Sequence, residues 1–200
     1  MGRTGIKTAV FGLTLNFALF LIKLYVGISS GSLAVYCDGI NNLGDSLSCI
    51  IALIGFILIK KSNERKNRRV QALSSFVIGL ILAVTGAYFA YNGIERLIYP
   101  IRISYLFKYA VLIAATIIVK IIMGIVYFQA DKKQPSPVYR ALITDSVLDC
   151  AVTVSALISL TLSAKINFAL DGFISVIIGI AVAVSAVKTT AAEGKYLIND

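Results

Sequence analysis

Histidine and tryptophan are absent from this chain of 200 residues, proline and cysteine occur three times each, and charged residues make up only 14% of it. The missing histidine removes the commonest zinc ligand and the usual proton shuttle, so metal or proton chemistry has to fall to carboxylates, amides, hydroxyls or thiols. Cys37, Cys49 and Cys150 lie in apolar surroundings without CxxC spacing; they offer no disulfide framework and read as small buried hydrophobes. So little charge, with 58% hydrophobic residues and a mean hydropathy of +0.86, excludes an ordinary soluble domain, which is roughly half apolar and a quarter charged. No nucleophile and base pair and no cofactor motif is visible, so neither an enzyme nor a resident cofactor is expected.

What the chain has in abundance is long apolar runs. Six are long enough to cross a bilayer, which takes about 20 helical residues: 9–28, 33–59, 70–98, 105–128, 138–164 and 168–188. The reading is an all-α membrane protein of six transmembrane helices, with one transport domain over residues 1–190 and a tail over 191–200. A net charge of +9 would suit nucleic acid, but the basic residues flank apolar runs, so a lipid bilayer is the expected partner and nucleic acid is not. Thirteen of the 19 basic residues fall on one side of the predicted spans and four on the other, while Lys23 and Lys120 fall within spans. The positive-inside rule then puts both termini and the tail in the cytoplasm and the protein in the cell membrane as a multi-pass chain. Asn16 and Lys23 inside the first run, and the second span directly after it, argue against a cleaved signal peptide. The basic stretch 60–69, with six positive charges and Glu64, reads as a membrane-flanking loop attracted to anionic lipid heads. Pro135 and Pro137 are expected to end the fourth helix and keep the chain extended after it.

Five acids are out of place in such a chain. Asp38, Asp45, Asp145, Asp149 and Asp171 lie in or at the edge of apolar helix, where an ionised carboxylate is costly and marks a functional site by default. Asn41 and Asp45 are four apart, as are Asp145 and Asp149, so each pair projects from one helical face about one turn apart. The second span runs inward and the fifth outward, so the two pairs can meet at one depth and present four oxygen-bearing side chains to one cation. Three carboxylates without fixed counter-charges repel one another, and a divalent ion relieves that. Pairing with Lys23 and Lys120 is the competing reading; both lysines are placed near span ends and are long enough to snorkel out. Asp38, two turns from Asp45, either lines an outer vestibule or bonds within the bundle, and is an accessory candidate. Asp171, beside Gly172 at the start of the sixth span, reads as the cap of that helix. Cys37, Asn41, Asp45 and Cys49 recur every four residues; a thiolate would change the metal preference, but small residues on a packed helix face account for the stripe.

These residues resemble the cation diffusion facilitator family of divalent-metal exporters. The matching stretches are Lys23 to Gly27, Ser30 to Ala34, Asp38 to Ser46, Ala141 to Asp149 and Leu170-Asp171-Gly172. The resemblance implies a transport site of paired polar residues on the second and fifth spans, which maps onto Asn41, Asp45, Asp145 and Asp149. It also implies a homodimer. Zinc-transporting members usually carry histidine in the site, whereas asparagine and aspartate stand here, and an all-oxygen set suits harder ions such as Mn²⁺. Where the family commonly has a His-Pro-Tyr-Gly segment and a glutamate, this chain reads Asn67-Arg68-Arg69-Val70-Gln71-Ala72, which argues against a second metal site in that loop. The family's C-terminal cytoplasmic domain has no counterpart within these residues.

The expected function is export of a divalent metal cation, Mn²⁺ first, in exchange for protons. Three carboxylates holding M²⁺ sum to −1 and the empty site to −3, so the same groups would carry both fluxes. The alternatives are the same fold with Zn²⁺, Fe²⁺ or Cd²⁺ as main substrate, and a cation channel.

Overall fold

The computed structural model describes residues 2–58, 64–133, 137–163 and 169–199. They form six α-helices in chain order: α1 (Gly2–Ser30), α2 (Leu33–Leu58), α3 (Glu64–Ile98), α4 (Phe107–Lys133), α5 (Pro137–Leu162) and α6 (Leu170–Asn199). The shortest have 26 residues and the longest 35, or about 40 to 50 Å at the helical rise. All therefore exceed the roughly 30 Å of a hydrocarbon core. By length and composition five of them, all but α2, are apolar enough to cross a membrane among the described residues. In α2 the polar residues Asp38, Asn41, Asn42 and Asp45 are crowded into the N-terminal half.

Burial is inverted relative to a soluble bundle. Val84, Tyr88, Phe107, Ile118, Val147, Leu148 and Ile177 are exposed on the outside. Inside lie Asn16, Lys23, Asp38, Asn42, Thr116, Lys120, Ser146, Asp149, Thr153 and Asp171. Such a surface is stable where the surroundings are hydrocarbon rather than water. Two apolar clusters bracket the polar layer. Val26, Val35, Phe89, Ile113, Ala156 and Leu160 pack in one, and Leu19, Met123 and Tyr127 in the other. Along α1, Lys23 falls between Leu19 and Val26; along α4, Lys120 falls between Ile113 and Met123.

Small residues set how closely the helices approach. α3 and α6 pack along their lengths, as do α1 with α2 and α4 with α5. A Cβ on Gly86 would stand 2.6 Å from the Ala183 nitrogen, and one on Gly179 would stand 2.5 Å from the Ala90 nitrogen. Gly93 and Gly172 meet further along the same contact. Where hydrocarbon surrounds the helices, backbone-to-backbone packing of this kind replaces the hydrophobic drive for association. Gly27 does the same for α1 against Tyr36 of α2. The α1–α2 turn needs Gly31, whose φ of 73° lies in the left-handed region that other residues adopt at a cost.

Several local expectations are corrected. Asp171, expected to cap its own helix, caps α2 instead. It accepts from the Leu33 nitrogen at 2.8 Å, the Ala34 nitrogen at 3.3 Å and the Ser32 hydroxyl at 2.6 Å. Ser32 Oγ in turn accepts from the Val35 nitrogen at 3.3 Å, so two side chains satisfy the free N–H groups that open α2. Arg96 pairs with the same carboxylate at 2.6 Å, and Ser159 donates to it at 3.0 Å. The local sequence could not reveal this, because the cap is supplied from 138 positions away.

Pro137 is the first residue of α5 rather than part of an extended link; its missing N–H is free of cost there and its fixed φ suits a helix start. Pro135 lies outside the described residues. α3 begins at Glu64, inside the stretch read as a loop, and α6 continues through 191–199, read as a tail. The side chains of Asn67, Arg68 and Gln71 are outside the described set.

Two measurements check this packing. Gly86→Leu or Gly179→Leu should lower the thermal midpoint of the detergent-purified protein by more than about 5 °C, whereas Gly124→Ala should move it by less than about 2 °C; the nearest atom to a Gly124 Cβ is 3.6 Å away. Similar shifts for all three would remove the α3–α6 contact from its assigned role. Asp171→Ala should cost about 3 kcal/mol, since it takes the carboxylate from Arg96 and uncaps α2, and Asp171→Asn should cost less in the same melt.

Candidate metal centre

The centre is built where α2, α4 and α5 meet. Each pair of residues four apart on α2 and α5 does share a face, as the helical repeat requires. A carboxylate oxygen from each of Asp45, Asp145 and Asp149 lies within 4.8 Å of the other two. Asn41 Nδ2 donates to Asp149 Oδ1 at 2.7 Å. All four residues singled out in the sequence are therefore brought to one place. A 4.8 Å spread is close to twice the distance of about 2.2 Å at which a carboxylate oxygen binds a divalent ion, so small side-chain movements would bring the three oxygens into one coordination shell. As placed, Asn41 turns its NH₂ toward Asp149; offering its oxygen to a cation requires a half-turn of the amide.

Exposure is graded across the cluster. Asp149 is 2% exposed, whereas the Asp45 side chain is 14% exposed and Asp145 is half-buried. Toward Asp38 and Thr153, both at 0%, the interior closes. The accessible side is thus the one toward the end of α2 and the start of α5.

The lysines overturn an expectation. Lys120 is 14 residues into the 27-residue α4 and 1% exposed, and about 20 Å of helix separates it from either end. Snorkelling is out of its reach. Its Nζ donates to Asp45 Oδ2 at 3.2 Å and to Asp149 Oδ2, so it stands inside the carboxylate cluster. The charge of the cluster with all three acids ionised is consequently −2 rather than −3.

Lys23 is buried as well, with Nζ donating to Asp38 Oδ1 at 2.9 Å and to Thr153 Oγ1 at 2.8 Å. The Thr153 hydroxyl donates onward to the Asp149 backbone oxygen at 2.8 Å. Of the two alternatives for Asp38, bonding within the bundle is the one observed; its carboxylate is in the Lys23 pair and not among the clustered oxygens. Asn42, which the sequence reading did not single out, is fully buried and donates to the Asp38 backbone oxygen at 2.8 Å.

The cysteines stand apart from the cluster. Cys37 packs in the apolar group with Val26 and Val35, Cys49 is buried beside Gly12 on α1, and neither joins the grouped oxygens. Thr153 was not singled out in the sequence, and the pairing of Lys120 with the acids was weighed there and set aside. The available signal was a lone lysine midway along an apolar run, since an ammonium so placed needs an anion beside it.

Comparison with known proteins bears on this geometry. The chain is 33% identical over 97 residues to an uncharacterized transporter of Methanocaldococcus jannaschii, covering 46% of this chain and 34% of that one. It is 33% identical over 88 residues to a protein of Bacillus subtilis named as a cadmium, cobalt and zinc/H(+)-K(+) antiporter, covering 42% and 28%. A probable cation efflux system protein of Mycobacterium tuberculosis is 32% identical over 106 residues, covering 50% and 32%. The matched stretches thus span about a third of the length of these curated relatives. The model of the cation efflux transmembrane domain matches residues 9–198. With nearly the whole chain matched, and long apolar helices that make it a multi-pass integral membrane protein, the chain belongs to the cation efflux transmembrane domain family.

Proposed function

We propose that this chain exports a divalent metal cation, Mn²⁺ first, across the cell membrane in exchange for protons, using Asn41, Asp45, Asp145 and Asp149 as its transport site. The observation that carries the reading is the convergence of three carboxylates from α2 and α5 within 4.8 Å of one another, with the Asn41 amide bonded to one of them. The family is one of transporters, not of enzymes. An oxygen-only donor set, without histidine and with both nearby thiols elsewhere, suits a hard ion. The Bacillus subtilis relative is named for cadmium, cobalt and zinc, and the Irving–Williams order makes those ions the natural competitors.

The mechanism follows from charge and access. With the site open on the side of Asp45 and Asp145, which the positive-inside rule puts toward the cytoplasm, an ion meets these partly exposed carboxylates first and Asp149 last. Three carboxylates and Lys120 sum to −2, so one M²⁺ makes the filled site neutral and suited to crossing a low-dielectric interior. The site then turns to face outside. Protons compete with metal for the same oxygens, so protonation favours release and lets the emptied site return without its excess charge. All six helices span the membrane in this reading, both termini are cytoplasmic, and the working unit is a homodimer.

Two experiments test it. Expression in an exporter-deficient host should protect growth against manganese, and Asp45→Ala or Asp149→Ala at equal expression should abolish that protection; undiminished protection in both variants would sink the site. Asn41→His should raise Zn²⁺ transport relative to Mn²⁺ in proteoliposomes by about tenfold, because imidazole favours the softer ion. An unchanged ratio would count against Asn41 as a ligand.

A further inference from the structure

The proposed function uses Lys120 only as a charge and leaves its contacts unexplained. A transport site on α2 and α5 needs nothing from α4, and a cation aimed into a cation site is at first sight a fault. Yet the side chain is 1% exposed, too deep for its position to reflect attraction to water. Its ammonium bonds Asp45 and Asp149 together, so it uses two of the three carboxylates that an ion would use.

The contact to Asp45 has the length of an ordinary ammonium–carboxylate hydrogen bond. Nζ to Asp45 Oδ2 is 3.2 Å, whereas a divalent ion binds carboxylate oxygen at about 2.2 Å. An ion drawn to the same oxygens would come within a few ångströms of Nζ, and like charges at that separation in a buried site repel strongly. The two cations cannot both hold Asp45 and Asp149 at full strength. Lys23, the other buried lysine, offers a contrast: it is paired with Asp38 and Thr153, outside the cluster, and competes with nothing there.

We propose that Lys120 is a tethered competitor for the transported cation, a specificity-determining and affinity-setting residue that holds Asp45 and Asp149 when no metal does and must give up those contacts for a divalent ion to bind. This rests on the proposed reading of the cluster as a metal transport site. Each metal ion has to displace a covalently attached ammonium, so affinity is kept below what three carboxylates alone would give. Release is assisted by the return of the ammonium to the same oxygens. The device also favours doubly charged ions over singly charged ones, since a monovalent cation gains nothing in charge by replacing Lys120.

The test is titration of the full chain in lipid nanodiscs with Mn²⁺ at one fixed pH, read by calorimetry, for the unmodified protein, Lys120→Met, Lys120→Arg and Asp149→Asn. Lys120→Met removes the charge and keeps the length; it should bind Mn²⁺ at least about tenfold more tightly. Lys120→Arg keeps the charge and can grip carboxylates bidentately, so it should bind at least about tenfold more weakly. In proteoliposomes the methionine variant should show a lower KM together with a lower maximal rate, the split expected when tighter binding slows release. A residue that merely supported the fold would move affinity in one direction for both variants.

Unchanged or weaker binding in Lys120→Met, with binding lost in Asp149→Asn, overturns the role of Lys120 and leaves the site standing. Undiminished binding in Asp149→Asn, or no binding by the unmodified protein, overturns the site and this role with it. Should Lys120→Met fail to fold, the arginine variant decides: binding as tight as that of the unmodified protein, or tighter, overturns the proposal.

Discussion

A carboxylate away from water needs a cation, and that single constraint organises the interior of this bundle. Five acids lie within it, Asp38, Asp45, Asp145, Asp149 and Asp171, and three cations answer them among the described residues. Lys23 pairs with Asp38, Arg96 with Asp171, and Lys120 with Asp45 and Asp149. The cations come from α1, α3 and α4 and the acids from α2, α5 and α6, so every pair ties one set of helices to the other. Two of the pairs balance one for one. The third does not: with all five acids ionised, the whole surplus of two negative charges is collected where Asp45, Asp145 and Asp149 converge.

Precision at that point depends on how the helices are held. Close backbone contacts through Gly86, Gly93, Gly172 and Gly179 fix α6 against α3, and Asp171 at the head of α6 fixes the start of α2. The register of Asn41 and Asp45 is thereby set from outside their own helix. On the other flank, the Lys23 ammonium joins Asp38 of α2 to Thr153 of α5, one turn beyond Asp149. The two helices that supply the cluster are pinned to each other just past it, while the side toward Asp45 and Asp145 is left open. On the proposed reading, a site that admits an ion from one direction needs that asymmetry.

The acids were legible in the sequence because hydrophobic runs make them conspicuous and the four-residue spacing fixes their face. Lys120 was misread for a related reason. A span judged by hydropathy ends at residue 128, which puts Lys120 near its edge, whereas α4 continues to Lys133 and puts it in the middle. Hydropathy measures where apolar residues stop, and helices do not stop there. Asp171 was misassigned because capping rules refer a helix end to its own neighbours in sequence, and this cap is made across the fold. Pro137 does not keep the chain extended, because its effect depends on position: the same ring that breaks a helix interior opens a helix at its first residue. Sequence reasoning was strongest where a side chain's cost is intrinsic and weakest where its partner is distant.

On the proposed reading, the surplus of two charges and the presence of Lys120 answer one requirement together. A carrier has to bind its ion firmly enough to capture it and loosely enough to lose it on the other side, as a pore must balance entry and exit. Three carboxylates in a site with few other partners favour capture. A positive charge about 4 Å from a divalent ion, at an effective dielectric of about 20, opposes binding by about 8 kcal/mol, the scale needed to offset much of that attraction. Placing the charge on a flexible side chain makes the opposition conditional: the ammonium can draw back as the ion arrives and advance as it leaves. Arginine would hold the carboxylates in a rigid fork, and a neutral residue would leave the empty cluster without an internal counter-charge. Lysine is the residue whose compact, mobile charge lets the cluster remain paired when empty and neutral when filled.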